Sequence, residues 1–137
     1  MSKLKVYIAS PYTIGDAGSN VKKQMDCAHL LMDCGFIPFT PLLSHFLHMN
    51  RPRPYEEWMD WDFEWIESCD ALLRLSGTSP GADREIACAE YNNIPVFYTL
   101  DSLVMWAGPN PKKGIGTVFF CDEDNIRFLE INSRLSI

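Results

Sequence analysis

The chain has 137 residues, 47% hydrophobic and 22% charged, with a net charge of -6. That length and balance give one domain with its own core, residues 1–137, and exclude a disordered chain. No apolar run approaches the roughly 20 residues that cross a bilayer, Met1–Tyr7 lacks the apolar stretch of a signal peptide, and so acidic a chain lacks the basic surface that a nucleic-acid backbone requires. The expectation is a cytoplasmic protein with a small-molecule partner. Small anionic ligands stay open, because local donors rather than net charge hold them.

Val6–Ala9 reads as a buried strand stopped by Pro11. From about Ser19 to Cys34, Val21, Met25, Ala28 and Met32 recur at helical spacing, and Gly35 closes the helix. Phe36–Phe39 is a short second strand whose Pro38 suits an edge or an early end. A proline-rich stretch from Pro41 to Pro54 carries His45, His48, Arg51 and Arg53. Tyr55–Ser68 is helical, Ala71–Leu75 is a third strand, and the turn Gly77–Gly81 opens a helix through about Asn92. Pro95–Tyr98 is a fourth strand, Asp101–Ala107 a short helix and Gly108–Gly116 a loop. Thr117–Cys121 is a fifth strand and Asp122–Arg134 a final helix.

Strands and helices in alternation predict an α/β fold, a three-layer sandwich around an open, mainly parallel five-stranded sheet of the flavodoxin or Rossmann kind. Such sheets hold ligands beyond the carboxyl ends of their strands. The loops after Ala9, Phe39, Leu75 and Tyr98 are therefore the places to search. Cys27, Cys34, Cys69, Cys88 and Cys121 are odd in number, scattered and without a CxxC pair, so neither a disulfide framework nor a zinc site fits. They read as reduced, buried, small hydrophobes.

The helix from Tyr55 carries a carboxylate on the wrong face. Tyr55, Met59, Ile66 and Cys69 form one stripe, and the member missing between Met59 and Ile66 is Asp62. Trp58, Trp61 and Trp65 widen that face, while Asp60, Glu64 and Glu67 lie opposite, on the polar side. A buried, unpaired carboxylate costs several kcal/mol, so Asp62 needs either a partner (Arg51, Arg53 or Arg74) or a chemical task. In Ser79-Pro-Gly-Ala-Asp-Arg-Glu85, Ser79 is an N-cap and Pro80 the first helical residue. Gly81 and Ala82 leave backbone N–H groups open to an anion. Glu85 brings a second carboxylate to the same strand ends, with the helix dipole favouring its ionised form, or else it merely completes the electrostatics of the helix start.

Paired carboxylates entering one cleft from two helices are equipped to cleave a glycosidic bond, one acting at the anomeric carbon and the other moving the leaving group's proton. Tyr7 and Ser10 border the same cleft. Tyr7 either positions a carboxylate or packs beneath the sheet, and on the residues alone packing is the simpler reading.

The combination of Val6-Tyr-Ile-Ala-Ser-Pro-Tyr12, Trp61-Asp-Phe-Glu-Trp-Ile-Glu-Ser-Cys-Asp70 and Ser79-Pro-Gly-Ala-Asp-Arg-Glu85, with Pro95-Val96 after it, resembles the nucleoside 2-deoxyribosyltransferase-like superfamily. Within it the match is to the small 2′-deoxynucleoside 5′-phosphate N-hydrolases and to bacterial and phage relatives. The resemblance implies that Glu85 is the catalytic glutamate, Asp62 the catalytic aspartate and Tyr7 the tyrosine orienting the glutamate. It makes Ser79, with Gly81 beside it, a 5′-phosphate contact, and Asp70 a structural position. It further implies a homodimer or larger homo-oligomer in which a neighbour completes the site, for which Asn132 is available and exposed Trp58, Trp61 and Trp106 offer surface. The loop from Ser10 lacks the glycine-rich continuation of the phosphate hydrolases, and the segment from Leu42 to Tyr55 is longer. His45 and His48 there are candidate substrate contacts, without the third ligand that a metal site requires.

The implied function is an N-glycosidase acting on a nucleoside or its 5′-monophosphate, without metal or organic cofactor. The rival readings are a deoxyribosyltransferase, should a second base enter before water, and a nucleotide sensor that binds without cleaving. A plain structural or assembly protein on the same fold is the remaining alternative.

Overall fold

The computed structural model describes residues 3–108, 116–121 and 126–131. Its central sheet contains β1 (Lys5–Ala9), β2 (Ile37–Phe39), β3 (Ala71–Arg74) and β4 (Val96–Phe97) in the order β2-β1-β3-β4. All neighbours are parallel, with Tyr7 opposite both Phe39 and Leu72. Pro38 sits on the edge strand, where its missing N–H breaks no interior ladder.

Side-chain alternation along β1 and β3 builds two cores. Val6, Ile8, Ala71 and Leu73 face α1 (Ala17–Asp33) and α5 (Leu100–Ala107), meeting Leu30, Leu31, Leu100 and Leu103. Tyr7, Ala9 and Leu72 face α3 (Tyr55–Glu67) and α4 (Pro80–Tyr91), meeting Ile66, Ala82 and Ala89. Helices thus cover both faces of a buried parallel sheet, the arrangement its near-continuous apolar strands require. Asp70, just before β3, accepts the backbone N–H of Lys5 at 2.8 Å and so aligns the starts of β1 and β3.

The sheet has four strands, not the expected five. Residues Gly116–Cys121 do form a strand, β5, but it pairs antiparallel with β6 (Ile126–Ile131) in a separate two-stranded sheet. That pairing also overturns the helix expected across residues 122–134: Ile126-Arg-Phe-Leu-Glu-Ile131 is rich in β-branched and aromatic types, and its partner Thr117-Val-Phe-Phe is too. The loop expected before β5 and Asn132 lie outside the described residues.

Finer expectations change as well. The buried stripe of α1 is Val21, Gln24, Ala28 and Leu31, with Cys27 and Leu30 beside it, whereas Met25 and Met32 face solvent. Gln24, a polar residue in the stripe, disguised its spacing. Tyr55 is exposed rather than on the buried face of α3. Trp58 and Trp61 are half-buried against each other at 5.5 Å between ring centroids, leaving Trp65 and Trp106 as the exposed indoles. Cys27 is buried, whereas Cys34, Cys69 and Cys88 are half-buried. The stretch after β2 folds into a 3-10 turn (Pro41–Leu43) and α2 (Ser44–Asn50), neither expected from its prolines. Gly35 ends α1 as foreseen, at φ +89°, with Phe36 N–H bonding Leu31 C=O at 3.0 Å.

Among the described residues no helix is long and apolar enough to cross a membrane. The stripe on α1 yields a direct contrast. Leu31→Ala should cost about 2–5 kcal/mol in urea unfolding, and Met32→Ala less than about 0.5 kcal/mol. Equal losses would show that the helix is turned as its methionine spacing suggests.

Candidate active site

A cleft of about 410 Å³ opens beyond the carboxyl ends of β1, β2 and β3. The loop after β1 lines it with Ser10 and Tyr12, the turn after β2 with Pro41 and Leu42, and the start of α4 with Ser79 to Ala82. Helices α2 and α3 form the opposite wall through His45, His48, Trp58 and Asp62. Three of the four loops singled out from the sequence meet here, while the loop after Tyr98 supplies none of the lining.

A residue absent from the sequence reading ties these pieces together. Gln24, 1% exposed, donates to Ile8 C=O at 3.1 Å and to Ser10 Oγ at 2.8 Å. Its Oε1 accepts the Leu42 N–H at 2.9 Å. One amide thus fixes the end of β1, the loop after it and the turn after β2.

The floor of the cleft holds two carboxyls. Glu85 projects from α4 and is 5% exposed; beneath it Tyr7, fully buried on β1, donates its hydroxyl to Glu85 Oε2. Asp62 arrives from α3, and its Oδ1 is buried with no hydrogen-bond partner. No ion pair among the described residues includes Asp62: Arg53 meets Glu57 at 3.4 Å, and Arg74 donates to loop carbonyls instead. The arginine-partner reading of Asp62 therefore fails.

Burial is the main cause that pushes Glu85 above the usual carboxylate range, and the negative charge of Asp62 adds to it. Hydrogen bonding from Tyr7 and the field of Arg74 pull the other way. This corrects the expectation of a readily ionised Glu85: it lies in the second turn of α4, past most of the helix-dipole benefit, and desolvation dominates. Asp62 is likewise pushed up by burial, against hydrogen bonding to Glu85 and Tyr7. The Tyr7 phenol is raised well above its ordinary value by burial and by both carboxyls, so it remains a donor. Two buried carboxyls this close behave as one unit that retains a proton into the neutral range.

Above this floor, Ser79 caps α4, its Oγ accepting the Ala82 N–H at 3.0 Å while its own O–H stays available to a ligand. Gly81 leaves the adjoining backbone uncovered; a Cβ there would come within 3.1 Å of the Tyr55 hydroxyl oxygen. His45 Nδ1 and the Tyr12 hydroxyl share a hydrogen bond across the mouth. His48 Nδ1 accepts both the Trp58 indole N–H at 2.9 Å and the Arg53 backbone N–H at 3.2 Å. Those two donors place the ring proton on Nε2.

Six of the seven expected site residues, Asp62, Glu85, Ser10, Ser79, Gly81 and His45, line this one cleft, and Tyr7 supports it from below. Tyr12, the bonded pair of His48 and Trp58, and the roles of Gln24 and Arg74 were not foreseen. A second tie joins the two carboxylate helices: Arg84 on α4 makes two hydrogen bonds of 2.9 Å to Glu56 on α3 and lies over the Tyr55 and Phe63 rings. Among the described residues no three His, Cys, Asp or Glu side chains gather as metal ligands.

The carboxyl pair sets a pH dependence of stability. The unfolded chain releases these protons near pH 4 or just above, about the ordinary carboxylate range, whereas the native pair is raised. From there into the neutral range the native state binds more protons, so stability falls as pH rises, by up to about 1.4 kcal/mol per pH unit for each proton involved. Urea unfolding from pH 4.5 to 8 should show this fall, and Asp62→Asn should flatten it; a parent whose contribution from these groups rises with pH would contradict the paired geometry.

No curated protein matches the chain. A solved structure of a 2-deoxyribosyltransferase from the psychrotolerant bacterium Bacillus psychrosaccharolyticus is similar over 67% of this chain and 69% of its own, at 22% identity and a TM-score of 0.48. A family model described as a domain of unknown function, DUF7768, matches residues 4–99, from the start of β1 past the end of β4. That match takes in the whole central sheet, the carboxyl pair and Ser79, and the chain belongs to the DUF7768 family.

Proposed function

We propose that the protein is an N-glycosidase that cleaves the base–sugar bond of a nucleoside or nucleoside 5′-monophosphate. The observation that carries this reading is the buried unit of Asp62, Glu85 and Tyr7 at the floor of a cleft whose far wall is rich in aromatic side chains. The resemblance of the motifs around Tyr7, Asp62 and Glu85 to nucleoside 2-deoxyribosyltransferase-like enzymes supports the same assignment.

The hydrogen-bond inventory distributes the roles. Glu85 has the Tyr7 donor and the Arg74 field to stabilise a negative charge, whereas Asp62 Oδ1 has no donor. The pair shares a proton, and its reactive form is the one that carries the proton on Asp62 and the charge on Glu85. As the C1′–N bond breaks, its electron pair stays on the base nitrogen, which takes the Asp62 proton. Glu85 stabilises the electron-poor C1′ or bonds to it as a glycosyl ester. Water then adds at C1′, and its proton returns to Asp62. A second base in place of water makes the same cycle a transfer. Ser79 O–H and the open amides at the start of α4 suit a 5′-phosphate, Ser10 and His45 border the sugar and base, and Trp58 offers an apolar face to a planar ring. Exposed Phe46, Leu47 and Met49 on α2 support a homodimer.

The test is chromatography for free base from ribo- and deoxyribonucleosides and their 5′-monophosphates, with and without an added acceptor base. The parent should release base. Glu85→Gln should abolish release while retaining ligand binding, and Asp62→Asn should slow it by about 10²–10⁴-fold. Ser79→Ala should raise KM for the monophosphate more than for the nucleoside. No release from any substrate, together with a nucleotide-induced rise in Tm, would replace the enzyme with a sensor.

A further inference from the structure

Two serine hydroxyls on the cleft are hydrogen-bonded from behind and open in front. Ser10, after β1, is 7% exposed and Ser79, at the start of α4, 8%; both line the cleft. Gln24 decides the polarity of the first. Its Oε1 accepts the Leu42 N–H at 2.9 Å and its Nε2 donates to Ile8 C=O at 3.1 Å, two partners that fix which way round the amide lies. The remaining Nε2 hydrogen goes to Ser10 Oγ at 2.8 Å. Ser10 Oγ is therefore an acceptor toward the protein, and among the described residues no acceptor takes its own O–H. Ser79 repeats the pattern, with the Ala82 N–H at 3.0 Å as the donor behind it.

The two hydroxyls follow neighbouring strand ends. Ala9 and Arg74 are register partners across β1 and β3, and just beyond them the Leu75 N–H bonds Ala9 C=O at 2.8 Å. The loops then touch again, since a Cβ on Gly77, at φ +115°, would come 2.8 Å from Pro11 Cγ. From there the chain departs in opposite directions. After β1 it runs through α1, on one face of the sheet, to β2; after β3 it runs through α4, on the other face, to β4. Such a divergence opens a crevice between adjacent strand ends, where open α/β sheets hold their ligands. Ser10 and Ser79 stand on its two sides. A buried O–H without an acceptor is costly, and an acceptor on a ligand recovers that cost.

We infer that Gln24 is a positioning residue of the cleft: bonding Ser10 from behind, it makes that hydroxyl a dedicated donor to an anionic oxygen of the ligand, opposite Ser79. Gln24 itself does not line the cleft and is 1% exposed, so it acts on the ligand only through Ser10. The identity of the ligand oxygen rests on the reading above, in which it belongs to the 5′-phosphate. A hydroxyl that must give its proton away favours a group rich in lone pairs. Its bond to a charged phosphate oxygen is about twice as strong as one to a neutral sugar hydroxyl. Loss of Gln24 should accordingly weaken capture of the phosphate more than the chemical step, which belongs to the carboxyl pair.

The experiment is calorimetric binding of 2′-deoxynucleoside 5′-monophosphates and of the matching nucleosides to the Glu85→Gln protein, in which turnover does not intervene. Ser10→Ala should raise Kd at least about tenfold for the monophosphates and less than about threefold for the nucleosides. Gln24→Met should do the same where Ser10 is present, and change Kd by less than about twofold where Ser10 is already Ala, because its effect passes through that hydroxyl. With Glu85 restored, Gln24→Met should raise KM for the monophosphate and leave kcat within about threefold. Undiminished monophosphate affinity in Ser10→Ala, or equal losses for nucleoside and monophosphate, overturns the inference. A Gln24→Met effect that persists at full size without the Ser10 hydroxyl overturns it too, since that is what a merely structural Gln24 would show. Should Gln24→Met not fold, ¹⁵N NMR of the Gln24 side-chain amide decides. Its resonance should move when monophosphate saturates the Glu85→Gln protein and stay in place once Ser10→Ala is added; movement in both, or in neither, overturns the inference equally. A parent that releases no base, alongside Ser10-dependent monophosphate binding, refutes the glycosidase reading and leaves the link from Gln24 through Ser10 standing. Absence of binding by every monophosphate overturns the inference itself.

Discussion

Two carboxyl groups withdrawn from water onto one tyrosine hydroxyl set the terms for the rest of this fold. Each alone would ionise in its ordinary range; side by side and buried, they cannot both do so without several kcal/mol of uncompensated charge. The protein meets that constraint with a retained proton, a single phenolic donor and one buried arginine. Such an arrangement survives only where none of its members can move apart. The sheet supplies Tyr7 from its fully buried first strand, and the two carboxyls come from adjacent helices packed on the same face.

Rigidity at this face comes from ordinary parts used at particular places. Ile66 and Ala89 anchor α3 and α4 to the sheet through apolar contact. The Arg84–Glu56 fork then links the two helices at the surface, one residue from Glu85 and six from Asp62. An exposed pair of this kind contributes little to global stability, so its value here is the relative placement of two helices. Gln24 does the corresponding work from the opposite face: buried in α1, it reaches the strand ends and satisfies a carbonyl, a hydroxyl and an amide that would otherwise stand unpaired beside the cleft.

Much of this was legible in the sequence, for reasons that also mark where legibility ends. Asp62 stood out because a charge interrupted an apolar helical stripe, and Glu85 because it followed a Ser-Pro helix start; each signal was local. The four parallel strands were readable from their apolar runs. Gln24 was not, since a polar residue on a buried face has the same pattern as one on a solvent face until its partners are known, and its presence moved the apparent stripe of α1 toward Met25 and Met32. Ile126–Ile131 illustrates the other failure. Its apolar residues fit either period, and the antiparallel partner β5 decides in favour of a strand. Arg74 was visible as a charge within an apolar strand, but sequence alone offered it to Asp62, whereas the fold gives it two backbone carbonyls.

The cleft is built unequally, and the inequality bears on how such a protein acquires its selectivity. Its floor consists of strand ends and long helices, on which Asp62 Oδ1 is buried without a hydrogen-bond partner. Its roof is α2, seven residues long, without a side-chain N-cap and with Phe46, Leu47 and Met49 exposed. Two side-chain hydrogen bonds, between Tyr12 and His45 and between Trp58 and His48, connect that roof to the rest of the cleft. Replacing residues of α2 reshapes the space above the carboxyls without altering the burial or the proton shared below. Under the proposed reaction, the floor sets what chemistry occurs and the roof sets which base enters. The same fold can therefore change its substrate through a short segment while the costly arrangement of Tyr7, Asp62 and Glu85 stays untouched.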